Sequence, residues 1–585
     1  MKTISTKVSK VTLAILFYVC LFIFILGNET LRAVPASNKL IKIKQADSTE
    51  LTIQLHGDEY RSWISTPDGY SIMQGKDGFY EYVEKIKNGV SISSGIRVHE
   101  LSLREQSEIQ LLKKLRKNLS PQSNTESKTH SKQMLLPESE RKSPKSITSP
   151  HHGQWLFPGA YDFASRDSFN VIVVLVNFPD CPLQYPLSTY DSLLNGVNYT
   201  GHGNHGSVRD YFQDMSQGRF IYQAKIIEYT ATKTQTSYAW PAGHYAKKET
   251  AGSELKKEVA LYVQSKLKYN FDGDANGAEH ISIIFAGRGQ ENTANPYHIW
   301  SNNGLCPVEG TNKVINVSCV AEIDNFMSRL GLSTYCHEFG HVLGLPDLYD
   351  TDYEEDGLSE HPDIHDLMAS GNGDGHPVPL SAFSRYSLGW LRIESISQGG
   401  DFQIKDFLKS KEVFRINTST PGEFFVLENR VPEKWQSNPD QGHGLLIFRV
   451  DSAYYVSHLR DNTINASKKH LGYEVLRADN NSSRETTKAD FFPYGGLYTS
   501  FTDATTPSAK SLSGANTSKP ITQITENNPI ISFQLMGGGN GLNVFTRQVD
   551  LHKNNVNVQG GILLIGNAKC TEKGVCYGFL PSPTI

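Results

Sequence analysis

Residues 37–119 alternate between apolar and polar side chains in short runs, and turn residues separate these runs. Residues 51–55 are a clear case, because Leu, Ile and Leu occupy every second position. Gly-Asp at 57–58 and Asp-Gly at 68–69 lie between runs, as the residues of hairpin turns do. The charged segment 101–119 has helical spacing instead. We therefore predict a small, mostly β unit that ends in a helix.

Residues 154–392 contain longer apolar runs. Residues 169–177 and 281–285 are almost continuously apolar and rich in β-branched side chains, which is typical of strands buried on both faces. Three other segments have helical spacing: 207–215, 253–267 and 327–343. Strands that precede such helices favour an α/β arrangement, so we predict one α/β domain here.

Residues 393–538 show short strands at regular spacing. Residues 424–427, 445–448 and 530–535 are the clearest of them, and together they predict a β-sandwich. Gly-Gly-Gly-Asn at 537–540 is typical of a linker, and residues 539–585 begin what we interpret as a further β-module. The whole pattern predicts a multi-domain protein of the α+β or α/β class.

Residues 1–36 have the pattern of a secretory signal peptide. Three lysines precede an apolar run at 11–26, and small residues (Ala-Val-Pro-Ala) follow at 33–36. The alternative is an uncleaved anchor, although the run is shorter than the roughly 20 residues that cross a bilayer. We expect a secreted or cell-surface protein with no stable membrane insertion after removal of the signal.

Residues 120–153 differ in composition from the segments on both sides. They are rich in Ser, Lys, Pro, Gln and His and contain few large apolar residues. Such a segment cannot bury a core, and an exposed basic linker is easily cut by proteases. We predict a basic flexible linker between two folded regions.

The size and charge of the chain exclude some classes of protein. A chain of 585 residues is too long for one hydrophobic core. The net charge of −4 shows no basic excess, so a nucleic acid is not an expected partner. Six cysteines follow the predicted signal, and their spacing does not dictate pairs. We interpret Cys306 and Cys319 as a loop staple and Cys336 as a small buried residue.

The strongest chemical signal lies at residues 337–350, HEFGHVLGLPDLYD. His337 and His341 are four residues apart, so a helix directs both imidazoles to one side, where they can bind one zinc ion. Glu338 lies beside them and can act as the general base on water at the zinc. A helix end at Gly344 and Pro346 then lets Asp347 return as the third ligand. Asp350 and Glu354 are also close enough in sequence for that role.

Met368 lies 27 residues after His341 of the zinc motif. A methionine at such a position can form the floor beneath the metal, as in the Met-turn of metzincin proteases. A lone methionine is more often core filler. Its place after the zinc motif favours the Met-turn.

Residues 272–277 form a second candidate metal site, for Ca²⁺. Asp272, Asp274 and Asn276 provide oxygen ligands at alternate positions, and a glycine follows. The acidic residue expected at position twelve of such a loop is missing. Glu279 is a candidate to replace it as a ligand. The alternative is a solvated acidic turn.

The extended motif resembles that of the M6 (immune inhibitor A-like) family of secreted metalloproteases. Other parts of the chain between about residues 50 and 538 are similar to family elements as well. They resemble the propeptide, an early helix, the acidic loop and its strand, a domain-closing helix and the following β-domain, at 51–90, 206–212, 271–287, 380–390 and 425–451. The acidic loop departs from the family habit, because Ala275 and Ala278 interrupt it. Residues 572–583 resemble fibronectin-type or immunoglobulin-like repeats.

This resemblance implies a metzincin-like zinc protease domain at 154–392, between a β-rich propeptide at 37–119 and the β-sandwich. The expected activity is that of a secreted zinc endopeptidase, made as a zymogen, with proteins as substrates. An activating protease or self-cleavage would release the propeptide. The alternatives are a catalytically inactive surface adhesin that uses its β-modules, which the intact Glu338 argues against, and a zinc hydrolase of another substrate.

Overall fold

The structure is a computed structural model. It describes residues 32–33, 35–36, 40–58, 62–75, 77–87, 90–120, 168–239, 252–268, 280–293, 295, 297–309, 314–323, 330–351, 361–371, 376–410, 412–437, 441–459, 461–481, 484–538, 543–544 and 564–565. The described residues form two compact units. The first contains those up to 120 with 174–182 and 228–321, and the second contains 168–173, 183–227 and those from 322 onward.

The N-terminal sheet is an antiparallel meander, as the alternating pattern predicts. Its strands are β2 Leu40–Lys44, β3 Glu50–Gly57, β4 Ser62–Ser65, β5 Ser71–Gln74, β6 Tyr80–Lys87 and β7 Val90–Arg97. Each strand pairs with the next one in the chain. Every second residue of β3 is buried, and Leu51, Ile53 and Leu55 form the core with Leu112 of the following helix. Side-chain alternation thus separates a buried face from a more accessible one.

The helix predicted over residues 101–119 is much shorter in the structure. A 3₁₀ turn occupies Leu101–Leu103, and the α-helix α1 extends only over Gln106–Leu112. A capping box of Glu105 and Glu108 fixes its start. The predicted helix is wrong beyond Leu112, because the apolar residues that continue the helical spacing there lie in a bend and in irregular backbone.

A second sheet contains six strands among the described residues, in the spatial order β1–β11–β12–β10–β8–β9. These strands are β1 Arg32–Ala33, β8 Ser168–Asn177, β9 Ile221–Thr230, β10 His280–Arg288, β11 Asn302–Pro307 and β12 Val314–Ile323. β8 and β10 confirm the strands predicted at 169–177 and 281–285. Eight of the nine residues of β10 are buried, as the continuous apolar run indicates.

The helices that accompany these strands are α2 Leu187–Asn195, α3 Val208–Met215, α4 Gln235–Tyr238, α5 Ser253–Leu267, α6 Ser333–Val342 and α7 Ala382–Ser387. The helix predicted at 253–267 has those bounds, and the one predicted at 207–215 begins one residue later. The helix predicted from residue 327 is α6 and begins at Ser333. Leu330 forms a β-bridge with Ile323 instead, so the chain before α6 is not helical there.

The C-terminal part contains two sheets among the described residues, ordered β13–β15–β16–β17–β18 and β14–β20–β19. Their strands are β13 Glu394–Ser395, β14 Gly400–Ile404, β15 Phe414–Asn417, β16 Glu423–Arg430, β17 Gly444–Asp451, β18 Tyr473–Val475, β19 Ile521–Asn527 and β20 Ile530–Leu535. Helix α8, Ser452–Leu459, follows β17. One hydrophobic cluster includes Phe402, Phe425 and Phe533, so both sheets contribute to the same core. The fold is therefore mixed α/β with several sheets.

Two short strands lie farther along the chain, β21 Asn543–Val544 and β22 Leu564–Ile565, and they pair antiparallel. The rest of residues 539–585 lies outside the described residues. So do the predicted linker beyond residue 120 and most of the predicted signal peptide. None of the described helices is both long enough and apolar enough to cross a membrane.

The proposed staple between Cys306 and Cys319 does not fit the sheet. In the register of β11 and β12, Cys306 is opposite Ile315 and Cys319 is opposite Asn302. The two cysteines are therefore about 13 Å apart along the ladder at about 3.3 Å per residue, whereas a disulfide needs Cα atoms within about 7 Å. That interpretation is wrong, while Cys336 is fully buried as predicted.

Candidate metal centre

Helix α6 carries the motif and is buried on all sides. All ten of its residues, Ser333–Val342, are buried. Phe339 packs against a cluster of aromatic rings, with centroid distances of 5.0 Å to Phe212, 5.2 Å to Tyr222 and 5.7 Å to Phe169. These rings pack against one side of the helix, and the two histidines lie on another side.

The two histidines are oriented by main-chain carbonyl groups. Nδ1 of His337 is 2.8 Å from the oxygen of Leu367, and Nδ1 of His341 is 2.8 Å from the oxygen of Leu345. Because a carbonyl can only accept, each Nδ1 carries the proton in the neutral ring and Nε2 offers a lone pair. Both Nε2 atoms lie 3.2 Å from Oδ1 of Asp347.

The turn after α6 returns the chain towards the histidines. Gly344 has a φ of 100°, which a residue without Cβ adopts most easily. Its N–H donates to the His341 carbonyl, and the N–H of Leu345 donates to the Gly340 carbonyl. These two bonds form a Schellman motif, which ends the helix. Asp347, three residues after Gly344, thus lies beside the two imidazoles, as the spacing predicts.

The carboxylate of Asp347 is buried and ionised. In the metal-free site, burial by itself raises the pKa of Asp347, but the His341 and His337 rings, when protonated and donating from Nε2, outweigh burial and hold this pKa well below its usual value. Its other oxygen, Oδ2, accepts a hydrogen bond of 2.6 Å from Nδ2 of Asn462. Oδ1 of Asp347 therefore faces the histidines, and Oδ2 is bound to Asn462.

This donor set fits a zinc ion. The ligand atoms of His337, His341 and Asp347 all lie within 4.8 Å of one another. Zinc binds nitrogen and carboxylate oxygen at about 2.0–2.2 Å, and in a tetrahedral site two ligand atoms are then about 3.3 Å apart. The separation of 3.2 Å from each Nε2 to Oδ1 is close to that value. Among the described residues, this is the one cluster of three such side chains.

Met368 lies directly beneath the motif helix. It is fully buried, and a Cβ placed on Gly340 would be only 2.6 Å from its sulfur. Gly340 lies between the two histidines in the sequence, so the thioether packs against the turn of helix that carries them. The missing side chain of Gly340 makes this approach possible. The main-chain oxygen of Met368 also accepts a hydrogen bond of 2.7 Å from Leu348.

Asp366 fixes the segment around Met368. Its buried carboxylate accepts hydrogen bonds from the N–H groups of Met368 (2.8 Å) and Ser381 (3.0 Å) and from the hydroxyl of Ser384 (2.7 Å). Asp366, Gly340 and Asn462 support the site but were not predicted from the sequence. Gly340 lies within the zinc motif and Asp366 lies two residues before Met368, so both could have been found from the sequence, whereas no sequence signal pointed to Asn462.

The remaining predicted residues have different outcomes. Glu338 is fully buried in α6 and, three residues before His341, is its neighbour on the helix surface. Asp350 is buried but does not join the cluster. Glu354, the alternative third ligand, lies outside the described residues. The candidate calcium ligands Asp272, Asp274 and Asn276 lie outside them as well, so this site stays a prediction.

Comparison with known families matches residues 164–401 to the family described as immune inhibitor A peptidase M6, catalytic domain. The matched range contains both histidines, Glu338, Asp347 and Met368. The resemblance predicted from the motifs is therefore confirmed over residues 164–401, which match the catalytic domain of this peptidase family.

Two curated relatives are similar over part of their length. They are the proteins named pre-pro-metalloprotease PrtV from two strains of Vibrio cholerae serotype O1, M66-2 and El Tor Inaba N16961. Each is 24% identical over 296 residues, which cover 41% of this chain and 32% of the relative. The chain thus spans about a third of the length of these relatives.

Proposed function

We propose that this protein is a secreted, zinc-dependent endopeptidase that is made as a zymogen. His337, His341 and Asp347 would hold the zinc, and Glu338 would act as the general base. The convergence of the two Nε2 atoms on one carboxylate oxygen carries this proposal. The match to an M6 peptidase domain and the similarity to PrtV support the substrate class, proteins.

The chain's own residues account for the proton transfers. Zinc, when bound, polarises the scissile carbonyl and lowers the pKa of water towards about 7. Glu338 accepts a proton from the attacking water and delivers it to the leaving amine. The carbonyls of Leu367 and Leu345 keep both imidazoles oriented while this happens. The ionised Asp347 supplies the negative charge that a divalent cation requires.

A metzincin-like arrangement is part of the proposal. In this arrangement Met368 forms the floor beneath the metal ligands. Its sulfur packs against Gly340, at the turn of α6 that joins His337 to His341. The Met368 N–H donates to the Asp366 carboxylate and the Met368 carbonyl accepts from the Leu348 N–H, and both bonds support the Met368 backbone at this position.

We also propose the domain layout that latency requires. A signal peptide at 1–36 is followed by a propeptide at 37–119, a basic linker at 120–153, the protease domain at 154–392 and the β-sandwich at 393–538. The compact meander and its own hydrophobic core support a folded propeptide. Limited trypsin treatment should cut first between about Lys128 and Lys145, and activity should rise as the N-terminal fragment dissociates. Full activity of the uncut protein would refute latency alone.

Casein digestion tests the enzyme proposal. The trypsin-activated protein should digest casein, lose this activity when a chelator removes the zinc, and regain it when zinc is returned. Zinc bound at a ratio of one ion per chain should be measurable by elemental analysis. A protein that binds zinc but cleaves neither casein nor gelatin would instead favour an inactive adhesin.

A further inference from the structure

We infer that Asn462, which follows helix α8 in the C-terminal part of the chain, is a positioning residue for the metal ligand Asp347. The inference rests on the proposed metal centre. Asn462 lies 115 residues after Asp347 and belongs to the region predicted as the β-sandwich. The site would therefore be incomplete without a residue from that region.

Asn462 binds Asp347 through both ends of its amide group. Oδ1 of Asn462 accepts from the main-chain N–H of Asp347 at 2.9 Å, and Nδ2 donates to Oδ2 of Asp347 at 2.6 Å. The backbone and the carboxylate of the ligand are thus held by one side chain. With Oδ2 engaged, Oδ1 is the oxygen left to face the two imidazoles. Asn462 therefore selects which oxygen is offered to the metal.

Asn462 is itself held in place by its surroundings. Its φ is 52°, a left-handed conformation that asparagine tolerates better than most residues. Its carbonyl accepts from the hydroxyl of Thr351 at 3.0 Å. Nearby, Nδ2 of Asn465 donates to the carbonyl of Leu348 at 2.8 Å. Residues 462–465 thus bind the segment 347–351 at three of its residues, which fixes their register.

The chemistry of the contact requires an amide at position 462. The backbone N–H of Asp347 needs an acceptor, and the carboxylate needs a donor. An asparagine provides both on one short side chain. A carboxylate there would lack the donor and would repel Asp347. Side chains that hydrogen-bond to a metal ligand and orient it in this way typically change metal affinity by about 10- to 100-fold when they are removed.

The test compares two glycine variants of the full-length protein. Asn462→Gly removes the amide and keeps the positive φ without strain. Asn480→Gly is a matched control, because Asn480 also has a φ of 52° and is exposed. Zinc affinity is measured by competition with a chromogenic chelator, and the folded state of each metal-free variant by thermal unfolding.

We expect Asn462→Gly to bind zinc about 10- to 100-fold more weakly, with Asn480→Gly close to wild type. At saturating Co²⁺, the visible absorption of Asn462→Gly should also differ from that of wild type, because Asp347 is no longer held. A purely structural role would leave this spectrum unchanged once metal is saturating. Wild-type zinc affinity together with a wild-type Co²⁺ spectrum in Asn462→Gly would overturn the inference.

The outcomes separate this inference from the proposed function. If the wild-type protein binds zinc but cleaves no protein substrate, the proposed activity fails, and the comparison of zinc affinities still tests Asn462. If the wild type is an active zinc protease and Asn462→Gly matches it in affinity and spectrum, only the role of Asn462 fails. A wild-type protein that binds no zinc overturns both.

Discussion

The N-terminal sheet and the metal-centre helix both bury apolar residues, but their contacts come from different distances along the chain. In the sheet, every strand from β2 to β7 pairs with its sequence neighbour. At the helix, Phe339 contacts Phe169, and the proposed ligand Asp347 binds Asn462. The N-terminal sheet is assembled from sequence neighbours, whereas the contacts around the metal-centre helix span almost 300 positions of the chain.

The two regions also differ in how sequence pattern relates to burial. In β3, buried and partly accessible residues alternate, so the periodicity is visible in the sequence. In α6 every residue is buried, and no apolar stripe distinguishes one face from another. Local pattern therefore predicts the sheet, whereas the metal centre is recognised by its chemistry, through the spacing of His, Glu and Asp.

The largest effect is expected for a substitution of Glu338, the proposed general base of the local motif. Glu338→Gln should lower casein cleavage by about 10²- to 10⁴-fold, because the amide cannot accept the proton from water. The zinc content should not change, since Glu338 is not among the three clustered ligands. Casein digestion and elemental analysis measure the two quantities. A variant as active as wild type would contradict the mechanism.

A remote contact of the metal centre can be tested at Gly340. Gly340→Ala should destabilise the protein by about 1–3 kcal/mol, because the new methyl group overlaps the buried sulfur of Met368. Urea unfolding measures the change. In a Met368→Ala background the same substitution should instead stabilise by up to about 1 kcal/mol, since alanine favours a helix over glycine.

The reversal of sign in this double-mutant cycle is the control. If Gly340→Ala costs the same free energy in both backgrounds, Met368 does not cause the penalty. The helix would then depend less on residues distant in sequence than the structure indicates.

A smaller effect is expected in the N-terminal sheet. Arg104 donates two hydrogen bonds of 2.7 Å to the carboxylate of Asp68, and both side chains are largely shielded. Arg104→Ala should destabilise this sheet by about 1 kcal/mol. Hydrogen exchange of residues 62–75 should become faster. The matched control is Lys42→Ala, whose ion pair with Glu50 is exposed on both sides and should contribute less than about 0.5 kcal/mol.

The last prediction concerns the pH dependence of the same sheet. Burial lowers the pKa of His56 to about 4, and its ring stacks on Trp63. The unfolded chain has a histidine pKa of about 6.5 and binds a proton first as the pH falls. The stabilising contribution is therefore complete above about pH 6.5 and is lost towards about pH 4.

Urea unfolding of wild type and His56→Phe at pH 7 and pH 5 measures this difference. The variant should lose less stability between these two values than wild type does. The carboxylates of Asp68 and Glu108, which hydrogen bonds hold below their usual pKa despite burial, act at lower pH and should not contribute in this window. Equal losses in both proteins would contradict the assignment to His56.

Much of the fold follows from periodicity, and the exceptions have physical causes. Strand Ile530–Leu535 and helix Ser253–Leu267 have the predicted bounds because their apolar positions repeat with one clear period. The predicted early start of α6 is wrong because Leu330 forms a β-bridge with Ile323. A tertiary contact of this kind cannot be predicted from the local pattern of apolar and polar residues.

The candidate site divides in the same way. His337 and His341 were predictable from spacing alone, and spacing offered Asp347 as one of three candidates for the third position; the turn after the helix brings Asp347 to the histidines. Asn462 was not, because its contact depends on how two segments more than 100 residues apart are packed. The Cys306–Cys319 pair failed for a related reason, because sequence proximity does not specify strand register.

The anchors of the two imidazoles have a consequence for transplanting the motif. The carbonyl that orients His341 belongs to Leu345, within the same 14-residue segment, whereas the one that orients His337 belongs to Leu367, 30 residues away. A graft of residues 337–350 into another scaffold would thus carry the orientation of one ring and lose that of the other. The smallest portable version of this metal centre must include the segment at 366–368.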